Sequence, residues 1–133
     1  MAMFDRAAVI LYIEDNPDNR LLIRRVLQAE GLVFHEASDA REAILSIQNK
    51  RPDLILMDIN LPEMDGYALT TKLKTLPQLR HIPIIAMTAN VMKGDRERTL
   101  QAGCDGYIQK PVDIDALPGQ INRFLREAIR ADQ

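Results

Sequence analysis

Apolar residues fall along this chain in two alternating patterns. Short apolar-rich stretches at 8–13, 32–37, 54–57, 83–87 and 106–109 are bounded by turn residues and suit strands; those at 8–13 and 54–57 are unbroken, the pattern of a strand buried on both faces. Between them lie segments of helical period. Asn16 and Pro17 suit an N-cap and a first helical position, and the helix they open runs to about Glu30, where Gly31 stops it. Leu22, Val26 and Leu27 are assigned to its inner face. Asp39-Ala-Arg-Glu42 is a capping box that opens a second helix, with Ala43, Ile44 and Ile47 inward and Arg51-Pro52 at its end. A third helix spans about 66–75 and is closed by Leu76-Pro77. The fourth is weak over 90–94, where Gly94 interrupts it, and stronger over 95–102, with Gly103 as C-cap. The last runs to about Arg130. Pro118 belongs in its first turn, which favours Asp115 over Asp113 as its N-cap.

Strand and helix alternate five times, which means a parallel sheet covered on both faces. In such a sheet the ligand crevice lies outside the C-terminal ends of the strands. Four of the five strands end there in polar residues: Glu14 and Asp15, then Asp58, Thr88 and Lys110. Glu36 sits inside the second strand. With the order 2-1-3-4-5, strands one and three are neighbours, and three carboxylates stand side by side.

Three clustered carboxylates repel. At about 4 Å and an effective dielectric near 20, each pair costs about 4 kcal/mol. A hard divalent cation relieves this, and few protein ligands completed by water suit Mg²⁺ better than Ca²⁺. Lys110 and Thr88 then offer an ammonium and a hydroxyl across from the metal, a site for a tetrahedral oxyanion such as a phosphoryl group. With no Ser, Cys or His at hand, the nucleophile is a carboxylate, and Asp58 is the central one.

Bulk properties narrow the rest. The 133 residues suit one domain, and the net charge of −2 argues against a nucleic-acid surface. No apolar run approaches the roughly 20 residues of a membrane-spanning helix. The N-terminus is too short and acidic for a signal peptide. The single Cys104 excludes an intrachain disulfide and a Cys-based zinc site, and a cytoplasmic location follows most simply. Cys104, His35 and His81 read as structural. A single domain over 1–133, with its core over about 8–130 and no output domain, is expected.

Taken together, Ile13-Glu-Asp-Asn16, Leu56-Met-Asp-Ile-Asn-Leu-Pro-Glu-Met-Asp-Gly66, Ala86-Met-Thr-Ala89, Gly103-Cys-Asp-Gly-Tyr-Ile108 and Lys110-Pro111 resemble the receiver domain of two-component response regulators, over nearly the whole chain. The wording of 90–95 looks most like stand-alone receivers and those of hybrid kinases. The resemblance implies a flavodoxin-like (βα)5 fold and a phosphorylation-dependent switch rather than an enzyme acting on a separate substrate. It implies Asp58 as phosphoacceptor from a histidine kinase or histidine phosphotransfer protein. It implies Mg²⁺, with Mn²⁺ as a substitute, on Asp15, Asp58 and the backbone carbonyl of Asn60, with Glu14 acting through water. Lys110 would hold a phosphoryl oxygen, with Lys110-Pro111 a cis peptide. Thr88 and Tyr107 match the family's switch pair.

From these roles follow a readout face of helix four, strand five and helix five for a downstream protein target, and a donor docking near Asn16, Arg20 and Ile23. Asn60 and Asn90 would flank the attacking water and set the phosphoryl lifetime. Pro62 to Gly66 would hold the Asn60 carbonyl in place. Neither nucleic acid nor membrane is an expected partner, and the chain would be a monomer or a phosphorylation-dependent dimer. The main alternative is a receiver from a hybrid kinase or longer regulator. An aspartyl phosphohydrolase is disfavoured, because Asn60 stands where its second acid belongs. A flavin or nucleotide domain is disfavoured because no Gly-rich loop follows strand one.

Overall fold

The computed structural model describes residues 7–61, 64–89 and 93–132. Among these, five parallel strands alternate with five helices. The order is β1 (Val9–Ile13), α1 (Pro17–Ala29), β2 (Val33–Ala37), α2 (Ala40–Asn49), β3 (Leu54–Asp58), α3 (Gly66–Lys74), a 3-10 turn (Pro77–Leu79), β4 (Ile84–Thr88), α4 (Lys93–Ala102), β5 (Gly106–Gln109) and α5 (Leu117–Asp132). The sheet order is β2-β1-β3-β4-β5, as expected.

Side chains alternate across the sheet. Leu11, Ile13, Ile55, Met57, Ile84 and Ala86 enter one core with α2 and α3. Ile10, Tyr12, Leu54, Leu56, Ile85 and Met87 enter the other, against α1 and α5. The three central strands β1, β3 and β4 are buried along their whole length, whereas β2 and β5 are partly exposed at the edges. Each fully buried Leu or Ile contributes about 1.5–3 kcal/mol.

Helix ends follow their sequence signals. Asn16 Oδ1 accepts the Asp18 and Asn19 N–H groups at 2.8 and 3.1 Å. Gly31 and Gly103 take φ of 77° and 102°, and the amide after each reaches back to a carbonyl of the last turn, Leu32 to Leu27 and Cys104 to Thr99. The capping box of α2 is displaced by one residue: Asp39 accepts from Glu42 N–H, but Glu42 bonds the Ser38 amide and hydroxyl.

Two expectations are corrected. Leu22 is 43% exposed, and the inner face of α1 is Ile23 and Leu27, with Val26 half-buried. The stripe facing the sheet centres on 23 and 27, and one residue earlier is about 100° around the helix. At the last helix, Asp113 rather than Asp115 caps the entry. Its Oδ1 accepts the Asp115 and Ala116 amides, closing a turn ahead of α5, and Pro118 then falls in the first helical turn. The start of the expected weak segment, 90–92, lies outside the described residues.

Both acids that precede strands at the opposite, N-terminal edge are structural. Asp53 Oδ2 accepts the Val9 amide at 2.7 Å. Asp105 Oδ2 accepts the Ile84 amide and the Lys74 ammonium, both at 2.9 Å, and Lys74 also donates to the Ile82 carbonyl.

Candidate functional site

The sheet ladder carries the polar residues past the strand ends. The Glu14 amide donates to the Ala37 carbonyl at 2.9 Å, so the residue after β1 is still held by β2. Asp58 is the last residue of β3, opposite Met87 of β4. The Lys110 amide donates to the Thr88 carbonyl at 2.8 Å, which carries Lys110 past β5. The Lys110-Pro111 peptide is cis.

These elements bring Glu14, Asp15 and Asp58 together, with one carboxylate oxygen of each within 4.8 Å of the others. Glu14 and Asp58 are buried and Asp15 is exposed. Lys110 Nζ lies 2.9 Å from Asp58 Oδ1 and 3.5 Å from Glu14 Oε1. Three carboxylates facing one ammonium leave two negative charges, which a divalent cation would neutralise. The donors are hard oxygens, two of them inside the fold and one on the solvent side. The residues therefore suit a divalent ion of the Mg²⁺ type, partly hydrated.

The acid pair is electrically unequal. Burial pushes Glu14 up, but its hydrogen bonds with Asp58 and the Asn19 amide, with the Lys110 charge, outweigh it and hold it down to about 2. Burial pushes Asp58 up, and the bond and charge of Glu14 add to this more than Lys110 subtracts. The difference follows from donors: Glu14 collects Tyr12, Asn19 and Lys110, whereas Asp58 has Lys110 and the Asn60 amide at 3.2 Å. Burial alone would lower Lys110, yet Asp58 and Glu14 hold it above its ordinary value.

The loop after β3 is fastened by a close approach. The Gly66 amide donates to the Ile59 carbonyl at 3.0 Å. A Cβ on Gly66 would lie 2.5 Å from the Asp58 carbonyl oxygen and 2.7 Å from Ile59 Cα. Only glycine lets the start of α3 lie against the backbone of the acid. Asp65 caps α3 through the Tyr67 amide and pairs with Arg98 of α4 at 2.7 Å. Pro62 and Glu63 of this loop, and Asn90, lie outside the described residues.

Thr88 is buried at the end of β4. Tyr107 is half-buried on β5, with the Arg96 guanidinium 5.5 Å from its ring centre. Cys104 is buried with its Sγ 3.8 Å from Thr70 Oγ1, and burial pushes its thiol up.

The pattern of strand ends did not reveal a supporting shell. Tyr12 donates to Glu14 Oε1 at 3.2 Å and Asn19 Nδ2 to the same oxygen at 2.9 Å. Burial, then the Glu14 charge, push the Tyr12 phenol far above its ordinary range. Arg20 donates to the carbonyls of Glu14 and Asp15 at 2.8 and 2.9 Å. Glu36 on β2 steadies Arg20 at 3.2 Å and also pairs with Arg24, which lies over Phe34. A hydroxyl inside an apolar strand needs a partner, and that was the available signal for Tyr12.

A cavity of about 190 Å³ opens beside the cluster between α1 and the β5–α5 loop, lined by Tyr12, Asn19, Leu22, Ile23, Lys110, Pro111 and Val112. Among the described residues no helix is long and apolar enough to cross a membrane.

Residues 10–122 match the family model for the response regulator receiver domain. The polar-differentiation response regulator DivK of Brucella anthropi is 43% identical over 119 residues, which are 90% of this chain and 97% of that protein. The receiver domain of a sensor histidine kinase from Pseudomonas aeruginosa is similar at 39% identity and a TM-score of 0.80, covering 90% of this chain and 98% of that one. Its structure has a magnesium ion coordinated in the active site cleft. The chemotaxis protein CheY4 of Vibrio cholerae superposes with a TM-score of 0.84 at 26% identity, over 88% of this chain and 98% of that one.

Proposed function

Since the chain belongs to the response regulator receiver domain family, we propose that Asp58 is its phosphoacceptor and that the acids around it hold Mg²⁺. The observation that carries this is the buried Asp58 carboxylate, 2.9 Å from Lys110 Nζ inside a cluster of three acids at the C-terminal edge of the sheet. Asp15, Asp58 and the Asn60 carbonyl would ligate the ion, with Glu14 acting through water, and Mn²⁺ would serve in its place. The ion would supply positive charge where the oxygens of the transferred phosphoryl group gain negative charge.

The Asp58 carboxylate attacks the phosphorus of a phosphohistidine; the P–N bond breaks and an acyl phosphate forms. Lys110 holds one phosphoryl oxygen. The added charge, about −1.5 to −2, draws the Thr88 hydroxyl inward to another. Tyr107 follows into the space Thr88 leaves and gives up its contact with Arg96. The altered surface of α4, β5 and α5 is read by a downstream protein, a two-state equilibrium biased by a local charge. The chain thus catalyses only its own phosphorylation and dephosphorylation, and Asn60 and Asn90 set the lifetime.

The donor, a histidine kinase or histidine phosphotransfer protein, docks over the cavity beside α1. Ile23 lies in the wall of that cavity but is only 2% exposed, and Leu22, Asn16 and Arg20 offer the accessible surface beside it. Phosphohistidine donors are made from ATP, which puts the exchange in the cytoplasm. The same chemistry serves a separate switch protein similar to DivK and a receiver attached to a histidine kinase.

Asp58→Asn should abolish the mass gain seen on incubation with acetyl phosphate and Mg²⁺. Undiminished Mg²⁺-dependent labelling of that variant would refute the assignment.

A further inference from the structure

The first acid of the site is a glutamate, one methylene longer than the aspartates beside it, and a longer side chain has more rotamers to lose before it can serve a metal. Three side-chain donors converge on its Oε1. They are the Tyr12 hydroxyl at 3.2 Å, Asn19 Nδ2 at 2.9 Å and Lys110 Nζ at 3.5 Å. Oε2 accepts the Asn16 amide at a long 3.5 Å, and the carboxylate also lies against those of Asp58 and Asp15. The side-chain donors that anchor the glutamate thus gather on Oε1, and Oε2 is left on the side of the other acids.

The two uncharged donors come from different elements. Tyr12 rises from β1, two residues before Glu14 and on the α1/α5 face of the sheet, with its ring packed edge-on against Phe34 at 6.3 Å. Asn19 descends from the first turn of α1, at the third helical position after the Asn16 cap. At that position a side chain commonly reaches back to the backbone of the cap. Here it reaches past the cap to the acid.

We propose that Tyr12 and Asn19 are positioning residues that clamp Glu14 Oε1, so that Oε2 is turned toward the metal site in one rotamer. Neither residue touches the phosphoryl group. Their effect is on the order of the glutamate and through it on cation affinity, as with other outer partners of metal-binding side chains. The clamp is specific to glutamate, because a carboxylate one methylene shorter sits too far down to meet the Tyr12 hydroxyl. This inference rests on the proposed Mg²⁺ site, and its test separates the two.

The experiment is calorimetric titration of MgCl₂ into the full chain and into Tyr12→Phe, Asn19→Ala, Glu14→Asp and the doubles Tyr12→Phe/Glu14→Asp and Asn19→Ala/Glu14→Asp. Tyr12→Phe keeps the ring and its packing, and Asn19 is exposed, so at least one series folds. Each single clamp variant should weaken Mg²⁺ roughly tenfold in the Glu14 background and less than about twofold in the Glu14→Asp background. Mg²⁺ affinity within twofold of the parent for both clamp variants, or the same loss in both backgrounds, would overturn the clamp while leaving the metal site standing. A folded parent chain that takes up no Mg²⁺ at millimolar concentration would overturn the metal site itself, and the clamp with it.

Discussion

Glu14 and Asp58 share one buried pocket but respond oppositely to acid. Glu14 lies at about 2 in the fold against an ordinary 4.5, so its contribution to stability is complete above pH 4.5 and is lost as pH falls toward 2. Asp58 is raised above its ordinary 3.8, so its ionised form opposes folding at neutral pH and that penalty fades as pH falls from its raised value through 3.8. Asp58→Asn should therefore melt several degrees above the parent at pH 7 without Mg²⁺. The gap should close toward pH 3.8, and Mg²⁺ should raise the parent's melting temperature more than the variant's. Thermal scans over pH and Mg²⁺ concentration check this; a variant less stable than the parent at pH 7 would contradict it. The meeting of Glu14, Asp15, Asp58 and Lys110 was legible in the sequence because each lies at or just past the end of a strand, and a parallel sheet gathers its strand ends. Tyr12, Asn19 and the hold of Arg20 on the Glu14 and Asp15 carbonyls were not, because these roles depend on how far a side chain reaches from a strand or helix that would form without them.

At the scale of elements, two glycines in apparently similar helical positions have opposite roles. Gly66 opens α3 against the backbone of Asp58 and Ile59, and a methyl group there meets atoms that cannot step aside. Gly119, near the start of α5, has nothing within 4 Å of an added Cβ. Gly66→Ala should cost roughly 1–3 kcal/mol and slow labelling of Asp58, since the acid's own carbonyl must move. Gly119→Ala should stabilise by about 0.5–1 kcal/mol through helix propensity. Urea unfolding of both variants gives the two signs directly. Element order and sheet order were readable from apolar runs and caps. The phase of α1 was not, because Leu22 and Ile23 are equally apolar and only the sheet beneath decides which is covered. The cap of α5 was misplaced for a related reason: Asp113 closes a separate turn before the helix, and Pro118 constrains only what comes after.

At the scale of the whole molecule, the proposed docking surface predicts different behaviour for small and large phosphodonors. The acid cluster opens at the sheet edge through Asp15, which is exposed, whereas in the proposed docking a protein donor also settles on α1 and the β5–α5 loop. Leu22→Ser should leave stability within about 0.5 kcal/mol of the parent, as expected of an exposed position. It should slow phosphotransfer from a cognate protein donor roughly tenfold while labelling by acetyl phosphate stays unchanged. Parallel assays with the two donors test this, and an equal loss in both would show that Leu22 acts on the site rather than on the docking.

The two carboxylates at the far edge of the sheet give the molecule a fulcrum. Asp53 and Asp105 each grip the first amide of a neighbouring strand, and Lys74 ties the second of them back to α3. If the proposed inward move of Thr88 occurs, strands held at this rim would favour a response at the opposite rim, in what α4 and β5 present outward. Hydrogen exchange should record this as unchanged protection of the Val9 and Ile84 amides on phosphorylation, beside altered protection at the ends of β4 and β5. Loosening at Ile84 would mean that the whole sheet rearranges instead of pivoting.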